Sequence, residues 1–316
     1  MKKIKWPKTA KFDNRNPAVA AAVVMSAPDG DMNRAETQRG IKWLRDRGCD
    51  CKLSEHFYGN RGFLAGRPEE IAADVNEAAR DQDVDWIISG GGGYNGNALL
   101  PYLDYAAIAK AGKPIVGLSN PTVVLNAITA KTGLVTYSGP VLIHNLGNEQ
   151  GTDSFTESHF REMLEGGKPQ ITIEAEPEWV WMRKGTAEGR LFGGNIWSLE
   201  HLLGTPYEPN WKNAILFIED CFCELHAIYA ALEHFKAAGV FDKIGGLIIG
   251  IPLEVAETEL PYRGTFNDVV MDVVRDFKFP VLANVHLGHT DRKLTMPIGA
   301  KCRLDSSNKT IVFERS

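Results

Sequence analysis

The chain has few cysteines, five in 316 residues: Cys49, Cys51, Cys221, Cys223 and Cys302. An odd count in a chain this long argues against a disulfide scaffold and for free thiols. Neither Cys-x-Cys pair has the Cys-x-x-Cys spacing of a zinc or redox site, so all five read as structural filler. Long apolar runs are also missing. Pro7 and Lys8 interrupt the basic start before a signal-type core can form, and no stretch approaches a membrane span. A cytoplasmic location is the expectation. Long runs of one charge are absent too. Lys plus Arg number 35 against 40 Asp plus Glu, a net charge of -5, which argues against a nucleic-acid surface. There is no internal repeat and no low-complexity segment.

What is present is an ordinary globular composition, 44% hydrophobic and 24% charged, enough for a large buried core. Short apolar runs alternate with helical patterns. Ala18 to Met25, Trp86 to Ser89 and Pro114 to Leu118 read as buried strands. Arg34 to Arg47, closed by Gly48, and Glu69 to Arg80 read as amphipathic helices between them. Strands separated by helices imply βαβ units and a parallel sheet. The pattern loosens from Leu146 to Pro177 and then resumes. Ile215 to Ile218, Gly246 to Ile249 and Pro280 to Val285 are further strand candidates. Helix faces follow from Ile228, Leu232 and Phe235 and from Val269, Val270, Val273, Val274 and Phe277. The expected organisation is an α/β domain over 1–150, a crossing segment over 151–184 and a second α/β domain with a mixed sheet over 185–316.

Three residues at expected strand ends stand out. Ser119 follows Pro114-Ile115-Val116-Gly117-Leu118 and precedes Asn120-Pro121, a strand running into a turn and a helix start. It lacks the second glycine of Gly-x-Ser-x-Gly, and a plain helix-capping serine would look the same. Glu219 ends Ile215-Leu216-Phe217-Ile218, where it or Asp220 would serve equally well in a cap or a salt bridge. His289 follows Val285-His286-Leu287-Gly288, and a lone histidine is usually structural. Together they supply a hydroxyl, a base and an orienting acid, at the strand ends where open α/β sheets collect ligands.

Ser89-Gly90-Gly91-Gly92-Gly93-Tyr94-Asn95-Gly96-Asn97 follows another strand. No Lys-Ser/Thr follows, and no Gly-x-Gly-x-x-Gly opens a helix cleanly. The preferred reading is a loop whose backbone N–H groups face an oxyanion or a carboxylate, with flexible filler as the alternative.

At these residues the chain resembles the LD-carboxypeptidase and microcin C immunity family of serine peptidases. Carrying the likeness are Gly62-Phe63-Leu64-Ala65-Gly66, Gly92-Gly93-Tyr94, Leu99-Leu100-Pro101-Tyr102, Gly117-Leu118-Ser119 and Gly133-Leu134-Val135-Thr136 with Gly139-Pro140. Gly189-Arg190-Leu191-Phe192-Gly193-Gly194-Asn195, Phe217-Ile218-Glu219-Asp220 and Gly288-His289-Thr290 before Met296-Pro297-Ile298-Gly299 complete the set. The resemblance implies Ser119 as nucleophile, His289 as base and Glu219 as the acid. It also implies an oxyanion hole from the backbone N–H groups of Gly92, Gly93 and Asn120. Members usually carry Asp where this chain has Asn120. The substrate would be an aminoacyl- or peptidyl-nucleotide, as in microcin immunity and antibiotic resistance, or a murein tetrapeptide that loses D-alanine. Trp179 is the candidate for stacking on a nucleobase, with Trp181 as the alternative and core packing as the ordinary explanation for both. No cofactor or metal is expected, and a homodimer is. Two rivals stand beside this reading: a zinc hydrolase built on His286, His289 and Glu219 or Asp220, and a binding protein that sequesters its ligand without turnover.

Overall fold

The computed structural model describes residues 2–13, 15, 18–24, 34–62, 64–255 and 264–315. Met25, at the end of the first expected strand, and Phe63, within the first motif of the resemblance, lie outside them. In the first half, β1 (Ala18–Val23), β2 (Cys49–Leu53), β3 (Trp86–Ser89), β4 (Ile115–Gly117) and β5 (Thr136–Ser138) are connected by helices. These are α1 (Arg34–Arg45), α2 (Pro68–Arg80), α3 (Tyr105–Ala111) and α4 (Thr122–Thr132). All five strands pair in parallel, in the order β5-β4-β3-β1-β2. Parallel strands covered by helices on their faces bury every position, and β3, Trp-Ile-Ile-Ser, is buried throughout.

The segment over 151–184 is structured. It holds α5 (Ser154–Glu165), β6 (Gln170–Glu174) and β7 (Val180–Arg183). The strands β6 and β7 become the two outer edges of a second, eight-stranded sheet. Its interior holds β8 (Thr186–Asn195), followed by helix α6 (Ile196–Glu200), and β9 (Ile215–Glu219), followed by α7 (Leu225–Ala237). Next come β10 (Gly246–Gly250), α8 (Phe266–Val273) and β11 (Val281–Val285). The strands β8 to β11 are parallel, while β7 pairs antiparallel with β11. After β12 (Met296–Ile298), strands β13 (Lys301–Asp305) and β14 (Thr310–Glu314) extend the sheet antiparallel from β8 to β6. In β9, Ile215, Leu216, Phe217 and Ile218 are all 0% exposed, and each such side chain stabilises the fold by roughly 1.5–3 kcal/mol. The architecture is thus a parallel α/β unit joined to a mixed α/β unit.

Two features bind the units together. Strand β12 leaves the second unit and pairs antiparallel with β5 at the edge of the first sheet. Its Pro297 is tolerated there because an edge strand needs no ladder donor on its open side. Helix α4 is buried along nearly its whole length and carries Asn126, whose amide donates to the Gly193 carbonyl and accepts from the Gly193 N–H. The helix that begins at the candidate serine is thereby tied to β8 of the other unit. The carboxyl ends of β3 and β4 meet those of β9 and β11 across one cleft.

Candidate active site

The chain between β4 and α4 turns sharply at Ser119, whose φ is +69°, in the left-handed region that a residue with a Cβ seldom adopts. Ser119 accepts the Thr122 N–H through its carbonyl at 2.9 Å, and α4 has no side-chain cap. The helix-capping explanation therefore fails: the hydroxyl of Ser119 is left to the cleft it lines. Gly117 makes the bend possible, since a Cβ there would come within 2.8 Å of Pro121 Cβ. Gly92, from the loop after β3, lies over the serine so closely that a Cβ would sit 3.0 Å from Ser119 Oγ. Gly93, with φ +122°, lines the same cleft.

Glu219, the last residue of β9, is fully buried, and its Oε2 accepts from His289 Nδ1 at 2.6 Å. Gly288 explains why the histidine can approach. It has φ +84°, and a Cβ on it would lie 2.3 Å from Glu219 Oε2. A loop carrying any larger residue there could not lay His289 against the carboxylate. Burial of the imidazole opposes its protonation, but the charge and hydrogen bond of Glu219 outweigh burial and raise the pKa above the ordinary histidine value. Ser119 and His289 share one cleft of about 880 Å³, in the size range of small-ligand sites. No hydrogen bond joins them among the described residues, and such contacts often close only around substrate.

This arrangement bears on pH. A base must be neutral to accept a proton, so raising its pKa moves the loss of activity upward in pH. The kcat/KM of the chain is expected to fall on acidification through a midpoint above that of an ordinary histidine. A profile flat from pH about 5 to 8 would contradict His289 as the base. Asp220, pushed up to about 6 by burial and by the neighbouring Glu219 charge, titrates in the same window. His289→Ala should remove the acid limb together with the activity, whereas removal of Asp220 should keep the limb and move its midpoint only slightly downward, since the Asp220 charge adds a smaller pull on the imidazole than Glu219 does.

Asn120 answers a question the sequence raised. Its Oδ1 accepts from the Gly96 N–H at 2.6 Å and its Nδ2 donates to Ser198 Oγ at 3.2 Å. Ser198 Oγ donates to Asn195 Oδ1 at 2.8 Å, and Asn195 Nδ2 donates to Asp220 Oδ1 at 3.0 Å. The Gly-rich loop, the serine turn and the end of β9 are thus joined by one buried chain of amides and hydroxyls. An aspartate at 120 would lack the Nδ2 donor, so the Ser198 hydroxyl would have to donate to it and leave Asn195 Oδ1 with the Ser198 N–H alone.

Two expectations are corrected, and one rival arrangement is not formed. Trp179 does not line the cleft: it precedes β7, is 7% exposed and packs in the core, while Trp181 lies on the core-facing side of β7. Both tryptophans point the same way, inward, while Val180 and Met182 on the other face of β7 are exposed. The aromatic side chains at the cleft are Trp197, 56% exposed, together with Phe222 and Tyr94. The zinc arrangement is not formed either. His286 faces Glu176 at 2.9 Å while His289 faces Glu219, so the two imidazoles part to different carboxylates. Cys221 and Cys223 are more than filler, since both line the cleft; burial pushes their thiols up, Cys223 to about 12, which makes them poor nucleophiles. All five thiols are free.

Similarity to known proteins extends over most of the chain. A family model described as the LD-carboxypeptidase N-terminal domain matches residues 21–139, and one described as the LD-carboxypeptidase C-terminal domain matches residues 188–304. The microcin C7 self-immunity protein MccF of Escherichia coli is 32% identical over 299 residues, 86% of each chain. The chain belongs to the LD-carboxypeptidase family. A probable murein peptide carboxypeptidase of Bacillus subtilis (strain 168) is 29% identical over 304 residues, 95% of this chain and 92% of that one. Among solved structures, MccF in complex with aspartyl sulfamoyl adenosine superposes with a TM-score of 0.87 at 28% identity, covering 98% of this chain and 99% of that one. Family membership therefore spans both substrate classes considered from the sequence. Among the described residues, no helix is long and apolar enough to cross a membrane.

Proposed function

We propose that the chain is a serine peptidase that cleaves the amide of an aminoacyl- or peptidyl-nucleotide. Supporting the catalytic part is the His289–Glu219 hydrogen bond, set in the same cleft as a serine on a strained turn. Ser119 Oγ attacks the amide carbonyl, and His289 Nε2 takes its proton and returns it to the leaving amine. Glu219 holds the imidazole in the tautomer that leaves Nε2 free and stabilises the cation. The backbone N–H groups of the Gly92-Gly93 loop and of Asn120, at the start of α4, receive the oxyanion, aided by the positive end of the helix. Water then clears the acyl-enzyme. The proposed location is the cytoplasm, and the proposed working form is a homodimer.

For the substrate, the observation that carries the reading is Trp197. A tryptophan 56% exposed at the mouth of a catalytic cleft offers a flat face to a nucleobase, a contact worth roughly 1–3 kcal/mol. The MccF structure with an aminoacyl sulfamoyl nucleoside is consistent with such a ligand. The competing reading, release of D-alanine from a murein tetrapeptide, is favoured by the Bacillus relative that matches 95% of the chain. Assaying an aminoacyl sulfamoyl adenosine beside a murein tetrapeptide separates them. The parent is expected to cleave the nucleotide compound. Trp197→Ala should raise its KM about 5- to 150-fold with little change in kcat, because stacking is present in ground and transition states alike. D-Alanine release with the nucleotide compound untouched would move the chain to the murein reading. Tight nucleotide binding without turnover in the parent would instead indicate sequestration.

A further inference from the structure

The cleft wall holds a charged side chain to which the mechanism assigns no part. Lys293 lies four residues beyond His289 on the same loop, lines the cleft, and is 1% exposed. Its Nζ has no hydrogen-bond partner, and neither has the second carboxylate oxygen of Glu219, Oε1. Burying an ammonium without a partner is costly, and such groups concentrate where a site uses their charge. The loop holds it firmly. The Lys293 N–H donates to Thr156 Oγ1 at 2.8 Å, that hydroxyl donates to the Asp291 carbonyl at 2.7 Å, and the Leu294 N–H closes on the His286 carbonyl at 2.7 Å.

We propose that Lys293 is a positioning residue of the catalytic array, whose ammonium, buried on the His289 loop at the cleft wall, favours the neutral, proton-accepting form of His289. The proposal rests on the serine-peptidase reading above. Glu219 by itself draws a proton onto the imidazole, and a cation on the same loop opposes that draw. The charges near the pair can be named. Glu219 and Asp220 stand at the end of β9, and Asp291 stands on the loop beside Lys293. Elsewhere around the cleft, Glu36 is 3.9 Å from His144, and Glu224 is 3.3 Å from His226. Burial pushes the Lys293 ammonium down to about 8, against the pull of Glu219 and Asp291, so it is mostly charged at neutral pH and loses its charge in mild alkali. Its influence on His289 should therefore be present at low pH and vanish at high pH.

The test needs no natural substrate. A fluorophosphonate reacts with an activated serine, Oγ forming the P–O bond as fluoride leaves, and its rate reports the base. We compare the parent with Lys293→Met, which keeps the length and removes the charge. At about pH 6 the variant should label about tenfold more slowly than the parent, and by about pH 9.5 the two should agree within about twofold. A variant-to-parent ratio constant across pH would mean that Lys293 only fills space, and would overturn the proposal. If the parent is not labelled at all, the serine reading fails separately. The ring titration of His289, followed by NMR of labelled histidine, then decides: an upward move in Lys293→Met supports the coupling, and no move refutes it. Should the variant fail to fold, the parent suffices. Its His289 ring signals should show a second inflection at pH about 8 as Lys293 loses its proton, and a single inflection counts against the proposal.

Discussion

Ser119→Ala is expected to lower kcat on the cleaved amide by on the order of 10⁴-fold or more, with the fold and ligand binding retained. The hydroxyl makes no capping bond to α4, and the turn is held by Gly117, the Ser119 carbonyl and the Asn120 network. Removing Oγ therefore costs little stability. Combining the change with His289→Ala should add little to either loss alone, because a nucleophile without its base and a base without its nucleophile fail at the same step. Single-turnover kinetics on the parent, each single variant and the double variant make the check. Losses that multiply would show two residues acting independently, and unchanged turnover in Ser119→Ala would leave the nucleophile assignment without support. Titration of the inactive variant with substrate by calorimetry should still show binding.

Glu219→Gln should cost on the order of 10³–10⁴-fold in kcat while leaving KM nearly unchanged. The side chain is fully buried at the end of β9, and glutamine conserves its volume, so the effect is electronic and geometric. A carboxylate accepts the Nδ1 proton of His289 whichever way it is turned. A glutamine that turns its amide toward Nδ1 must donate instead, which places the imidazole proton on Nε2 and leaves Ser119 facing a donor. The cationic imidazole formed during attack also loses its counter-charge. Both effects act on the transition state and hardly on substrate binding, hence the fall in kcat. Circular dichroism and thermal melting establish that the variant is folded. A loss of tenfold or less would place Glu219 in a structural role and turn attention to Asp220, its buried neighbour.

Local sequence was informative where one physical signal dominated. Ile215-Leu216-Phe217-Ile218 and Trp86-Ile87-Ile88 are apolar runs too short for a helix, and they form buried strands wherever neighbours supply the hydrogen bonds. Gly117 before Ser119 and Gly288 before His289 mark backbone approaches that a Cβ would block, and the structure shows the atoms that each would strike. Family motifs added order to these signals. Tertiary structure decided the rest, because exposure and partnership belong to the assembled chain. Nothing local distinguishes Trp179, buried against the core, from Trp197, open at the cleft. The edge position of β7 sets the first and the turn from β8 into α6 sets the second. The three-residue strand β12 carries a proline and no periodicity, so only the vacant edge of β5 makes it a strand at all. Nothing in the local sequence singles out Lys293. It becomes a buried cation at the cleft wall because its loop folds inward onto Thr156, a contact made across 137 residues of chain.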